Sequence, residues 1–272
     1  MKYGVLFLLS ILLNSLTFAH GPIHESIKRV TKKIKKKPND PALYIERGQY
    51  YQVDENFDLA LNDYLTAKGL DPEIKMIDFH CGQLFSEHGY PTTALRFANK
   101  FLSYNSNHVA GLMLRATIFV QLGEDSLAII DYEKGIQQTK TPKPEYFVNI
   151  SKAFIAADST NFSSAIEWLE KGEEYLGFNI ILKSYAYDLA KERKEYGKAV
   201  EIVDKVLPKM NRKETWLYKK GVVLELANDI NNARNVYQET INHIKKLPVR
   251  LQKTKMMLEL EANTRMALIR LN

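Results

Sequence analysis

A single cysteine, Cys81, stands in 272 residues, so the chain forms no internal disulfide and contains no Cys-rich zinc module. Its stability therefore has to come from packing. Glycine (13) and proline (9) are scarce for a protein of many tight hairpins, which argues against an all-β sandwich and for helices. Enzyme signatures are missing too: there is no P-loop, no Gly-x-Ser-x-Gly elbow, no His-Glu-x-x-His pair and no Rossmann glycine fingerprint. The chain is read as non-catalytic, with no cofactor expected. Beyond the N-terminal residues no apolar run is long enough to span a bilayer. At 45% apolar and 26% charged residues, a sizeable core is affordable.

Charge of one sign is confined to one place. The segment Lys28 to Lys37 holds Lys28, Arg29, Lys32, Lys33, Lys35, Lys36 and Lys37 and no acid. Of the 38 basic residues, those seven and Lys2 removed leave 30 against 32 acidic ones, so the formal +6 describes one short helix. No nucleic-acid partner is expected from that balance. The lysine helix is read as a solvated face, with contact to an anionic membrane surface as the lesser alternative.

Residues 1–19 read as a signal peptide: Lys2, then the apolar Val5 to Leu13, then Thr17-Phe18-Ala19 with small residues where a signal peptidase cuts. The expected mature chain begins at His20 and is secreted or periplasmic, with no transmembrane segment left. An uncleaved N-terminal anchor is the alternative.

Internal periodicity is the strongest signal. Counting from Pro41 as position 1, Tyr44, Gly48, Tyr51, Ala60, Tyr64, Ala67 and Pro72 fall at positions 4, 8, 11, 20, 24, 27 and 32 of a 34-residue unit. Position 20 recurs as Ala60, Ala94, Ala128, Ala165, Ala199 and Ala233, at intervals of 34, 34, 37, 34 and 34. Position 8 is small at Gly48, Gly82 and Gly221, but it is Tyr187 in a degenerate fifth unit. This pattern resembles the tetratricopeptide repeat over roughly residues 41–247. The resemblance implies an all-α chain, a right-handed α-solenoid of about six helix-turn-helix repeats. Small residues at positions 8 and 20 would let the two helices of a unit approach closely. Residues 20–40, with Ile23, Ile27, Val30 and Ile34 on one stripe, and residues 248–272, with a helix from Arg250 to Leu271, are expected to cap the two ends.

The resemblance also implies a concave groove lined by the first helix of each unit, suited to a partner protein or peptide. Its positions 5 and 9 are Ile45 and Gln49, Phe79 and Gln83, Met113 and Thr117, and Val148 and Lys152 in the first four units. The Lys and Asn at those positions that would clamp acidic chaperone C-termini are absent. The expected role is that of a non-catalytic scaffold or adaptor in the cell envelope. A second reading is metal handling, in which His20 and His24 near the mature N-terminus hold Cu or Zn and the repeats serve as a docking platform. Cys81 is expected to be buried and unreactive.

Overall fold

The computed structural model describes residues 22–271, and among them there is no strand. Helix α1 covers 22–36. Six helix pairs follow: α2 (Pro41–Val53) with α3 (Phe57–Leu70), α4 (Met76–Glu87) with α5 (Pro91–Tyr104), α6 (Val109–Leu122) with α7 (Asp125–Gln138), α8 (Pro144–Ala157) with α9 (Phe162–Leu176), α10 (Ile180–Glu192) with α11 (Tyr196–Val206), and α12 (Glu214–Leu226) with α13 (Ile230–Lys246). Helices α14 (Val249–Gln252) and α15 (Lys255–Arg270) close the chain. This is an all-α repeat solenoid. It divides into two compact units, one reaching to Thr141 together with Ala156–Ser159, the other comprising Pro142–Ile155 and the chain from Thr160 onward.

Local signals explain why helices start where they do. Asp40 caps α2, its side chain accepting from the Ala42 amide, with Pro41 in the first turn. Asn56, His108, Asn179 and Asp229 cap α3, α6, α10 and α13 in the same way. Helix ends share one device. At position 15 the backbone turns left-handed in five repeats, at Glu55, Gly89, Gly123, Lys194 and Asn228, with φ between 58° and 77°. The next amide then reaches back to the position 11 carbonyl: Asn56 to Tyr51, Tyr90 to Phe85, Glu124 to Phe119, Glu195 to Ala190 and Asp229 to Leu224, all at 2.8–2.9 Å. This is a Schellman closure, and only two of the five positions carry the glycine that adopts it without strain.

Within a pair, position 8 meets the second helix. A Cβ on Gly48 would stand 2.7 Å from Tyr64 Cε1 and 3.3 Å from the Ala60 carbonyl oxygen. One on Gly82 would come 3.4 Å from the Ala98 nitrogen, and one on Gly221 would run into the Tyr237 ring. The alanines at position 20 are all fully buried. The fifth repeat departs as its sequence does: Tyr187 fills position 8, is buried, and donates its hydroxyl to the Lys219 carbonyl 2.9 Å away in the next repeat.

Polar side chains tie helices together both within a repeat and between repeats. Arg47 grips Asp63 with two bonds of 2.7 Å, and Arg115 grips Asp131 at 2.6 and 2.9 Å, both pairs linking positions 7 and 23. The position 7 cation also reaches position 25 of the preceding helix: Arg115 to Asn99 at 2.9 Å and Lys220 to Asp204 at 2.6 Å. Arg47 makes the same bond to Thr31 of α1, at 3.2 Å. Helix α1 thus sits on α2 as the second helix of a preceding repeat would. It runs antiparallel to α2, since His24 neighbours Asp54, Arg29 meets Tyr50 and Lys33 meets Glu46. Val30 and Ile34 are its buried stripe.

At the other end, the single helix expected over Arg250 to Leu271 is broken in two. Thr254 accepts from the Met257 amide and so restarts the helix, while Gln252 spends its amide on the Lys245 and Leu247 carbonyls. The side-chain bonds available to Thr254 and Gln252 outweigh helix continuity there. Repeat four is also longer between its helices, Pro144 to Phe162 against Pro41 to Phe57, as the sequence insertion at Ala157 to Asn161 requires.

Two stability tests follow from this geometry. Lys194→Gly should raise the unfolding free energy by up to about 1 kcal/mol, because relief of left-handed strain exceeds the added chain entropy. Gly221→Ala should cost about 1–3 kcal/mol through overpacking against Tyr237; urea titration followed by circular dichroism measures both.

Candidate functional site

In the first unit α2, α4 and α6 lie side by side, and α2 and α4 bound a cavity of about 790 Å³. Its lining is Gln49, Gln52, Val53 and Glu55 from α2 and the turn after it, and His80, Gln83, Glu87 and His88 from α4 and its end. These fall mostly at positions 9, 12 and 13, successive turns on one face of each first helix.

The groups form a connected polar network. Tyr64 donates its hydroxyl to Gln52 Oε1 at 2.8 Å, and Gln52 Nε2 donates to Glu87 Oε2 at 2.6 Å. Gln83 Nε2 donates to the other Glu87 oxygen at 2.9 Å, so the exposed carboxylate is held between two amides. Gln49 Nε2 lies 3.2 Å from His80 Nε2. The His80 ring stacks on Tyr64 with centroids 5.4 Å apart, and burial lowers its pKa, favouring the neutral imidazole. Burial likewise raises the pKa of the Tyr64 phenol. The network offers amide donors and acceptors, a neutral imidazole and one carboxylate. It pairs no nucleophile with a base, and Cys81, buried beneath it, has its thiol pKa pushed up to about 12 by desolvation.

Only part of the sequence-derived groove opens onto this cavity. Gln49 and Gln83 line it. Ile45 is half-buried against the Ala60, Tyr64 and Ile77 core. Phe79 is half-buried against Phe101, at 5.3 Å between centroids, and near His108. The Met113 methyl occupies the place a Cβ on Gly135 would take, and Thr117 bonds the Met113 carbonyl and Tyr132. Val148 and Lys152 belong to the second unit, where Lys152 lies 5.6 Å from the Tyr185 ring centroid. The apolar members thus face inward more than a docking track would. Gln52, Val53, Glu55, His80, Glu87 and His88 escaped the sequence reading, although positions 12 and 13 stand one helical turn beyond position 9.

His20, half of the expected metal pair, lies outside the described residues. His24 is exposed, with Nε2 3.8 Å from the Asp54 carboxylate. Among the described residues no group of three or more His, Cys, Asp or Glu side chains is arranged to hold a metal ion. No described helix is long and apolar enough to cross a membrane.

The pH response of the site follows from His80. Its folded pKa lies below the ordinary histidine value, so below about pH 6.5 the unfolded chain binds the extra proton first and stability falls with falling pH. Thermal melts between pH 7 and pH 5 should show a steeper loss for the native chain than for His80→Gln, which lacks the titrating ring.

No family model and no curated protein matches this sequence. Solved structures do match. A tetratricopeptide-repeat protein from Cytophaga hutchinsonii, solved as its C-terminal part, aligns at TM-score 0.65 and 18% identity, covering 90% of this chain and 97% of that one. A tetratricopeptide repeat protein from Parabacteroides merdae aligns at 0.55 and 16% identity, covering 94% and 98%. PilW, described as a widely conserved type IV pilus biogenesis factor, aligns at 0.59 and 14% identity, covering 76% and 97%. At these identities the likeness is one of fold: the chain has the fold of a tetratricopeptide-repeat solenoid.

Proposed function

We propose that this protein is a non-catalytic interaction scaffold of the cell envelope, exported through cleavage after Ala19, which holds an extended segment of a partner protein between α2 and α4. The observation that carries this reading is the open, amide-lined cavity of about 790 Å³. Its Gln49, Gln52 and Gln83 side chains can exchange hydrogen bonds with a peptide backbone, which needs paired donors and acceptors. Glu87, bracketed by two amides, selects a segment that brings a donor or a cation to it. An assembly or adaptor role is supported by the fold shared with PilW, which serves pilus biogenesis. Of the other expected contacts, Ile45, Phe79 and Met113 pack into the repeat core and do not line the cavity.

Gln83 and Glu87 are the residues to test, because both line the cavity and Phe79 does not. Affinity capture from envelope fractions with residues 20–272 should retain a partner that the Gln83→Ala/Glu87→Lys chain loses, with helix content and melting point unchanged. Equal retention by both chains overturns this site.

A further inference from the structure

Helix α15 has two apolar faces. Met257, Leu260, Thr264 and Ala267 are buried on one, against α13 and α12. Arg270 fixes the seat by gripping Glu225 of α12 at 2.7 and 2.9 Å. In this position α15 stands as the first helix of a further repeat would, with no second helix following among the described residues. The face left over carries Leu258, Ala262, Met266 and Ile269, spaced i, i+4, i+8 and i+11, a single helical stripe. Leu258 is 53% exposed, Met266 56% and Ile269 74%. Long apolar side chains aligned at that exposure mark an interaction surface.

The stripe also says what covers it. Beside it, on one flank, Arg265 donates to Glu261 four residues earlier, at 2.6 and 3.0 Å. The midpoint of that charge pair is Asn263, and the midpoint of the stripe from Leu258 to Ile269 falls at the same turn. If a second α15 is laid antiparallel across the first with a two-fold axis near Asn263, Leu258, Ala262 and Met266 each drop between two stripe residues of the other copy, and Ile269 lies beside its Leu258. The same axis sets Glu261 opposite Arg265 of the second copy, and Arg265 opposite its Glu261. The small Ala262 lies nearest the axis, where the backbones come closest. One symmetry operation therefore satisfies both the apolar pattern and the charges, as an isologous interface demands. We propose that α15 is a homodimer interface, pairing antiparallel with α15 of a second copy.

Sedimentation of the chain from His20 to Asn272 should show a reversible dimer. Met266→Asp/Ile269→Asp, both at exposed sites, should weaken it by about tenfold or more while the circular dichroism spectrum is unchanged. Glu261→Arg alone should weaken it through like charges, and Glu261→Arg/Arg265→Glu should restore it, because the swap preserves reciprocity. Ala262→Cys should give a disulfide-linked dimer on oxidation, with the buried Cys81 left unreacted. A native chain that stays monomeric, a dimer indifferent to the Asp substitutions, or a charge swap that fails to rescue would overturn the assignment.

Discussion

The separation of the two helices in each repeat is set where position 8 of the first meets positions 20 and 24 of the second, and the stack follows from that distance. At Gly48 the Tyr64 ring occupies the volume a side chain would claim, and at Gly221 Tyr237 does the same. In these two repeats the tyrosine at position 24 is fully buried because position 8 has no side chain to exclude it. Its hydroxyl then has to find a partner, which position 12 supplies: Gln52 for Tyr64 and Glu225 for Tyr237, at 2.8 and 2.9 Å. Through that bond the packing constraint reaches the open face. Gln52 spends its amide on Glu87, and Glu225 accepts Arg270, so the candidate pocket grows from buried Tyr64 and the seat of α15 from buried Tyr237.

A second constraint is the return of the chain from one helix to the next. The left-handed residue at position 15 and the closure from position 16 to position 11 recur in five repeats whether or not glycine is present. Strain at Glu55, Lys194 and Asn228 is tolerated because the helices on either side are already fixed by burial. Repeat four, with its insertion, has no such residue and takes a longer turn. The register is reinforced by position 7, whose cation bonds backward to position 25. That α1 supplies Thr31 to this ladder gives it a definite role in the stack: it covers the apolar side of α2 as a second helix, with lysines outward.

The repeat itself was legible in the sequence because it is periodic: six alanines in register betray a packing requirement imposed six times. The break at Thr254 was not, since it depends on side-chain bonds competing with the backbone of one helix. Nor was the pocket. Position 5 residues were expected to face outward by analogy with other repeats, but Met113 turns toward the vacancy left by Gly135, and Phe79 toward Phe101. Which way a half-buried side chain leans is decided by the residue across from it on the next helix, and no single-repeat pattern contains that information. The lining residues His80 and Glu87 have chemical meaning only once α2 and α4 are adjacent.

The pocket's network bears on what can bind there. In the free protein Gln52 and Gln83 already satisfy both oxygens of Glu87. A ligand gains nothing by repeating those bonds, because exchanging one neutral donor at the carboxylate for another yields little net free energy. It gains by bringing a charged donor, which adds an ion-pair attraction to the bond at the carboxylate, and by releasing two glutamines to clasp its backbone. The pocket is thereby biased against neutral partners that merely fit its volume. A cationic side chain next to an extended backbone is the chemistry that both displaces the internal bonds and reuses them.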